Sequence, residues 1–176
     1  MDNHPKVLAI CGSTRVQSAN LLLLQYLQKT AAPYFNITIY THLDQLPHFN
    51  PDLDSDSPPA EIRELRRLVE EVDGIIICTP EYVFSIPGSL KNALEWFVST
   101  TLLSDKPTAL ITASSSGDVA HKELKLIMDT LGARSNEDTV VLIKSIKSKM
   151  SATGEISSSE LRERLLQLIL SLNTLL

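Results

Sequence analysis

The sequence predicts an α/β fold of three layers, in which helices cover both faces of one parallel five-stranded sheet. Short apolar runs rich in β-branched residues alternate with longer segments of helical periodicity along the chain. Most of these runs are continuously apolar, which is typical of parallel strands that are buried on both faces. With 176 residues and no internal repeat, the chain is expected to form one domain over residues 1–176.

Each strand is predicted from a short apolar run bounded by polar residues, glycine or proline. The five predicted strands are Lys6–Cys11, Asn36–Tyr40, Gly74–Cys78, Pro107–Thr112 and Thr139–Ile143. The predicted helices are Asn20–Thr30, Pro59–Glu71, Gly88–Ser99, Asp118–Leu131 and Ser158–Leu172. This succession is typical of the flavodoxin-like sheet with strand order 2-1-3-4-5. In such sheets a ligand binds beyond the carboxyl ends of the strands, between strands 1 and 3.

Composition and charge exclude several classes of protein. The chain is 43% hydrophobic and 21% charged, as globular domains are, and its net charge of −5 is spread without blocks of like charge. Neither a nucleic-acid surface nor a membrane-binding patch is therefore expected. No apolar segment is long enough to span a bilayer and no signal region is present, so we expect a cytoplasmic protein. Cys11 and Cys78 lack metal-ligand spacing and are expected as core residues, so no metal site is predicted.

The loop after the first strand, "CGSTRVQSAN", has the residue types of a monophosphate site. Gly12 allows a tight exit from the strand, and a helix N-terminus with its free amides follows. Ser13, Arg15, Ser18 and Asn20 add hydroxyl, guanidinium and amide donors. Alternatively, the serines serve only as an N-cap and a turn residue, and the residues of this loop alone leave both interpretations open.

The loop after the third strand, "CTPEYVFSIPG", combines stiff and flat residues. Pro80 and Pro87 restrict the backbone, while Tyr82 and Phe84 offer planar apolar surface. This combination suits a planar heterocycle. Alternatively, the aromatic residues only cover the end of the sheet or face another subunit, and this loop taken alone favours that interpretation.

Both loops resemble the signatures of one family. "GSTRVQSAN" resembles G-S-x-R-x-x-S-x-N, and "TPEYVFSIPGSLKNALEW" resembles T-P-E-Y-N-x-S-x-P-G-x-L-K-N-A-x-D-W. These are patterns of the NADPH-dependent FMN reductases, which include bacterial quinone, chromate and azo-dye reductases. The resemblance implies a bound FMN, NAD(P)H as co-substrate, and a homodimer or homotetramer.

The resemblance also assigns roles to residues of this chain. The FMN phosphate is expected on Ser13, Arg15, Ser18 and Asn20, and the isoalloxazine ring on Pro80, Glu81, Tyr82 and Val83. The loop after strand 4 places Ser114, Ser115 and Gly117 at the pyrimidine edge of the ring. The family usually has Asn where this chain has Val83. The change is neutral if the Asn acts through its main chain, and it weakens FMN binding if the Asn acts through its side chain. Since the chemistry belongs to the flavin, no catalytic side chain is predicted.

The predicted activity is hydride transfer from NAD(P)H to FMN, followed by reduction of a quinone, an azo compound or a similar small acceptor. The alternatives are a flavodoxin-like electron carrier that does not use NAD(P)H, and a flavin-free protein on the same scaffold. Trp96 and Phe97 are adjacent in a predicted helix, so we expect a partner subunit to bury one of them. The long loop after strand 2 either borders the pocket through His48, Phe49 and Asn50 or is a stiffened surface loop.

Overall fold

The computed structural model describes residues 4–176 and contains one sheet of five parallel strands. The strands are β1 (Lys6–Cys11), β2 (Asn36–Tyr40), β3 (Gly74–Thr79), β4 (Thr108–Ser114) and β5 (Val140–Lys144). Their order across the sheet is β2-β1-β3-β4-β5, which confirms the predicted topology.

Helices cover both faces of the sheet. They are α1 (Ala19–Ala31), α2 (Ala60–Glu70), α3 (Gly88–Glu95), α4 (Asp118–Thr130), α5 (Ile146–Lys149) and α6 (Ser159–Leu175). Helices α1, α5 and α6 pack on one face, and α2, α3 and α4 pack on the other, so two apolar cores flank the sheet. Within the described residues, none of the helices combines the length and the apolar character that crossing a membrane requires.

Strands β1 and β3 end side by side, because their register pairs Cys11 with Cys78. Both cysteines are buried free thiols in the core under α1 and α6, as predicted. Burial raises the pKa of each thiol. The level ends of β1 and β3 bring the two loops that follow them next to each other, which is the arrangement that a switch point requires.

The long loop after β2 packs against α2 and α3. Its backbone at Pro47 accepts hydrogen bonds from Trp96 Nε1 and Asn92 Nδ2, both at 3.0 Å, and the ring of Phe49 stands edge-on to Trp96 at 5.1 Å. Further along, Asp54 forms an ion pair with Arg66 at 2.8 Å. These contacts place the loop beside α3, on the face away from α1.

One expectation about oligomerisation was wrong in its reasoning. Helix α3 ends at Glu95, not at Ser99, so Trp96 and Phe97 lie in the turns that follow and are not held to a helical spacing. Both side chains are buried within the chain, with exposures of 0% and 2%. No partner subunit is needed to cover either of them.

Candidate cofactor site

A cavity of about 390 Å³ lies at the carboxyl ends of β1, β3, β4 and β5. All the predicted site residues except Val83 and Gly117 line it. These are Ser13, Arg15, Ser18, Asn20, Pro80, Glu81, Tyr82, Ser114 and Ser115. The structure thus brings the three predicted loops together, whereas His48, Phe49 and Asn50 do not line this cavity.

The first loop leaves β1 in close contact with β3. The N–H of Gly12 donates to the carbonyl of Cys78 at 2.8 Å. A Cβ atom at residue 12 would lie 2.7 Å from Thr79 Oγ1, which is closer than real Cβ contacts. Glycine is therefore required here by the approach of β3 to the loop.

The serines of this loop both shape it and line the cavity. Ser18 is the N-cap of α1, and its Oγ accepts the N–H of Leu21 at 3.0 Å. Ser13 Oγ accepts the N–H of Arg15 at 3.4 Å. The Arg15 guanidinium is exposed and has no acidic partner within residues 4–176. The loop therefore presents hydroxyls, the N-terminus of a 13-residue helix and an unpaired cation, which suit a phosphate.

Asn20 has a structural task that the sequence does not reveal. It is buried, and its Nδ2 donates to the carbonyl of Ala113 at 3.3 Å while its Oδ1 accepts the thiol of Cys78 at 3.2 Å. The side chain thus ties α1 to β3 and β4 below the cavity. One Nδ2 hydrogen remains for a ligand, because a primary amide carries two.

Glu81 acts on the neighbouring loop. Helix α4 receives no side-chain cap from its own N-cap residue, and Glu81 supplies the missing acceptors. Its carboxylate accepts the N–H groups of Ala120, Val119 and Gly117 at 3.0, 3.0 and 3.1 Å. These bonds, that of Ala120 foremost, hold the pKa of the carboxyl below its usual value. The carboxylate is therefore occupied by α4 and fixes the loop after β3 to the loop after β4.

Gly117 lies outside the cavity lining for a conformational reason. It has a φ of 94°, the left-handed region that favours glycine. A Cβ atom there would also approach Leu142 Cδ1 to 2.9 Å. Its N–H donates to Glu81. The glycine predicted at this position is therefore explained by the backbone conformation, and the residue does not line the cavity.

A tight turn at Tyr82–Ser85 forms the exposed rim of the site. The two end residues exchange backbone hydrogen bonds of 2.9 and 3.1 Å. The central residues, Val83 and Phe84, have φ of 53° and 57°. Positive φ at both central positions is typical of type I′ turns, which favour Asn-Gly. Val83 is 95% exposed, so its side chain lies in solvent. The Asn of the family pattern suits this position because Asn adopts positive φ more readily than a β-branched residue does.

We predict that Val83→Asn raises the free energy of unfolding by about 1 kcal/mol, because Asn tolerates the left-handed region better than a β-branched residue does. Denaturant titration of the apoprotein measures this. Val16→Asn is the control, since Val16 is 88% exposed but has no positive φ. An equal gain in both variants would show that replacing an exposed valine by a polar residue, and not the left-handed backbone, causes the effect.

A second carboxylate holds this turn from α4. Glu123 Oε2 accepts Ser85 Oγ at 2.8 Å and the N–H of Ile86 at 3.0 Å. Glu81 therefore reaches from the turn to α4, and Glu123 reaches back from α4 to the turn. The sequence gives no signal for this pairing, since the partners are 37 and 38 residues apart.

The fourth wall of the cavity comes from Ser145 and the helix α5 that follows it, which sequence reasoning missed. The wall consists of Ser145, Ile146, Lys147 and Ser148. Helix α5 has only four residues and follows Ser145, a left-handed residue that is not glycine. Neither feature leaves a recognisable pattern in the sequence.

The fold is that of a flavodoxin-like α/β protein, and the cavity lies at the switch between β1 and β3, where such folds bind their ligands. Residues 5–147 match the sequence model of the NADPH-dependent FMN reductases, and the chain belongs to this family. The predicted resemblance is thereby confirmed. The cavity fits the family's cofactor, because its lining combines phosphate donors with a proline and an aromatic ring.

Characterised relatives agree with this assignment. The subunit CrdA of an NADH:(hydroxy)cinnamate reductase from Vibrio ruber is 35% identical over 157 residues, which cover 85% of this chain and 76% of that protein. A 2-hydroxy-1,4-benzoquinone reductase from a Burkholderia species is 31% identical over 166 residues, or 91% and 90% of the two chains. The structure of FerB, a flavoenzyme NAD(P)H:(acceptor) oxidoreductase from Paracoccus denitrificans, superposes with a TM-score of 0.81 at 26% identity, covering 97% of this chain and 96% of FerB.

The family is one of oxidoreductases that depend on FMN and NAD(P)H, as the resemblance implied. These comparisons favour the enzyme over the electron carrier that the sequence left as an alternative.

Proposed function

We propose that this chain binds FMN in the cavity at the ends of β1, β3, β4 and β5 and catalyses the reduction of a quinone-type acceptor by NAD(P)H. The observation that carries this proposal is that one cavity combines donors suited to a phosphate with flat apolar surface suited to a planar ring. The unpaired Arg15 and residues of the α1 N-terminus line this cavity together with Pro80 and Tyr82. A quinone is favoured over an azo compound because the benzoquinone reductase aligns with nearly the whole chain.

The residues of the chain have the task of binding and orienting. Bound FMN supplies the hydride and electron-transfer chemistry. Ser13, Arg15 and Ser18 hold the phosphate, which fixes the position of the ring. Tyr82 and Phe84, exposed by 48% and 75%, give flat apolar surface for a nicotinamide or a planar acceptor. No side chain is assigned a proton-transfer step, since hydride transfer through the flavin requires none.

An absorption spectrum of the purified protein, after incubation with FMN and desalting, tests this function. We expect flavin bands that bleach on anaerobic addition of NADPH or NADH and return with a benzoquinone. Bands that persist with both nucleotides but bleach with dithionite would indicate the electron carrier. A protein without bands would be a flavin-free member of the fold.

The chain is proposed to form a homodimer or homotetramer through the outer face of α3 and α4. An apolar depression of about 330 Å³ lies there, and Val98 and Leu126 at its edge are 65% and 67% exposed. Two lysine–acid pairs on this face, Lys91–Glu95 and Lys125–Asp129, offer both signs of charge to a symmetry-related copy. The cytoplasmic location stays a prediction from the sequence.

Leu126→Lys is predicted to shift the protein to the mass of one chain, because it places a charge on this apolar face. Size-exclusion chromatography with light scattering at micromolar concentration measures the mass. Leu166→Lys on α6 is the control, since Leu166 is also partly exposed but lies on the opposite side of the sheet. A wild-type protein that is already monomeric would contradict the proposed assembly.

A further inference from the structure

Ser145 and the helix α5 that follows it are held firmly against the cavity. The N–H of Ser145 donates to the carbonyl of Ser115 at 3.2 Å, which joins this segment to the loop after β4. Ile146 and Met150 are buried in the core under α1 and α6. Lys147 lies between these two anchors and lines the cavity together with Arg15. Its backbone is therefore fixed at the cavity edge, while its side chain remains exposed.

The charges around the cavity leave Lys147 without a partner. Arg15, Glu81 and Lys147 are the charged residues that line it within residues 4–176. The Glu81 carboxylate is occupied by three N–H groups of the α4 N-terminus. Lys147 forms no ion pair or side-chain hydrogen bond in the described chain, whereas nearby Lys144 is paired with Asp118 at 2.7 Å. Within the described residues, the cavity therefore contains two cations without an acidic partner, Arg15 and Lys147, and one carboxylate, Glu81, that already accepts hydrogen bonds from α4.

Two cations match the charge of a phosphate monoester. Such a group carries about −1.5 to −2 charges at pH 7, so one guanidinium neutralises only part of it. The whole chain adds repulsion, because its net charge is −5. A second cation near the phosphate donors of the first loop would offset both effects.

We propose that Lys147 is the second cation of the phosphate-binding end and pairs with the 5′-phosphate of FMN; this inference rests on the proposed function. The same chemistry is present in the 2′-phosphate of NADPH. The flavin phosphate is favoured because Lys147 shares its cavity with Ser13, Ser18 and the N-terminus of α1, which are the proposed donors to that phosphate. Lys147 is thus a binding residue that neither family signature includes.

Binding of FMN and riboflavin to the apoprotein tests this role, because the two ligands differ only in the phosphate. Titrations followed by flavin fluorescence compare the wild type with Lys147→Ala, Lys147→Arg and Lys149→Ala. Lys149 lies on the same short helix but lines a different depression, beside β5 and α6. We expect Lys147→Ala to weaken FMN about five- to tenfold and to leave riboflavin unchanged. Lys147→Arg should restore FMN binding, and Lys149→Ala should match the wild type.

Several outcomes would overturn the inference. One is that Lys147→Ala leaves FMN binding unchanged, and another is that it weakens FMN and riboflavin equally. If FMN binding is unchanged but the ratio of kcat/KM for NADPH over NADH falls, Lys147 serves the 2′-phosphate and the proposal is wrong. A wild type that binds neither flavin would refute the proposed function and the inference together. A wild type that binds both, with an unaffected Lys147→Ala variant, would refute the inference alone.

Discussion

Replacement of Glu81 by alanine is expected to lower the free energy of unfolding by about 2 kcal/mol, because it leaves three N–H groups of α4 without their charged acceptor. The loop after β3 also loses its attachment to α4, so we expect FMN binding to weaken in the same variant. Denaturant titration of the apoprotein and FMN titration measure the two effects.

Glu81→Gln refines this prediction, because glutamine keeps an acceptor oxygen but loses the charge. Its effect should lie between those of the wild type and Glu81→Ala. Arg67→Ala on α2 is a control that removes exposed ion pairs with Glu64 and Glu71 and should change stability much less than Glu81→Ala does. If Glu81→Ala behaves like this control, the capping contacts contribute nothing to stability.

The same carboxylate predicts a dependence on pH. Hydrogen bonds from α4 lower the folded-state pKa of Glu81 below its ordinary value of 4.5. A lowered pKa stabilises the folded state above the unfolded-state value, and this contribution disappears as the pH falls through the folded-state value. The stability difference between wild type and Glu81→Gln should therefore be constant from pH 7 to about 5 and shrink below about 4.5. A difference that grows on acidification would contradict the assignment.

Gly12→Ala is expected to cost about 1–3 kcal/mol of stability, because the new Cβ meets a packed neighbour. It would lie 2.7 Å from Thr79 Oγ1 and 2.9 Å from Thr79 Cβ, at the point where the first loop leaves the sheet. Either β3 or the loop must move, and movement of the loop shifts Ser13. We therefore expect weaker FMN binding with a smaller effect on riboflavin, since the phosphate contacts are disturbed first.

The chain contains a matched control for this substitution. A Cβ atom at Gly88, at the start of α3, meets nothing within 4 Å, so Gly88→Ala should be neutral or slightly stabilising. The double variant Gly12→Ala with Thr79→Ala removes the shorter contact and should recover part of the loss. If the double variant simply adds two independent losses, the steric explanation is wrong.

The parts of the structure that were predictable from sequence are those with a local pattern. The apolar runs determine five strands, and their alternation with helices determines the strand order. The two loops were recognisable because Gly12, Arg15 and Pro80 stand at fixed distances from strand ends. Trp96 was misjudged because its burial depends on where α3 ends, which its own neighbourhood does not specify.

The missed features depend on contacts between distant segments. Glu81 and Glu123 join the loop after β3 to α4. No local sequence pattern around either residue indicates which distant groups it contacts. Lys147 enters the site through a four-residue helix that begins after the left-handed Ser145. Such positions become visible only when the sheet has assembled and its carboxyl ends share one edge.

The two buried cysteines have a consequence for the chemistry that this cavity can tolerate. Thiolates are nucleophiles that attack quinones and other electrophiles, and the pKa values of Cys11 and Cys78 are raised by burial. At neutral pH both side chains are therefore protonated and lie beneath the cavity, where Cys78 Sγ–H is engaged by Asn20. An electrophilic molecule that enters the site meets hydroxyls, a carboxylate and cations. We therefore expect that an electrophile entering the cavity leaves the two cysteines of the chain unmodified.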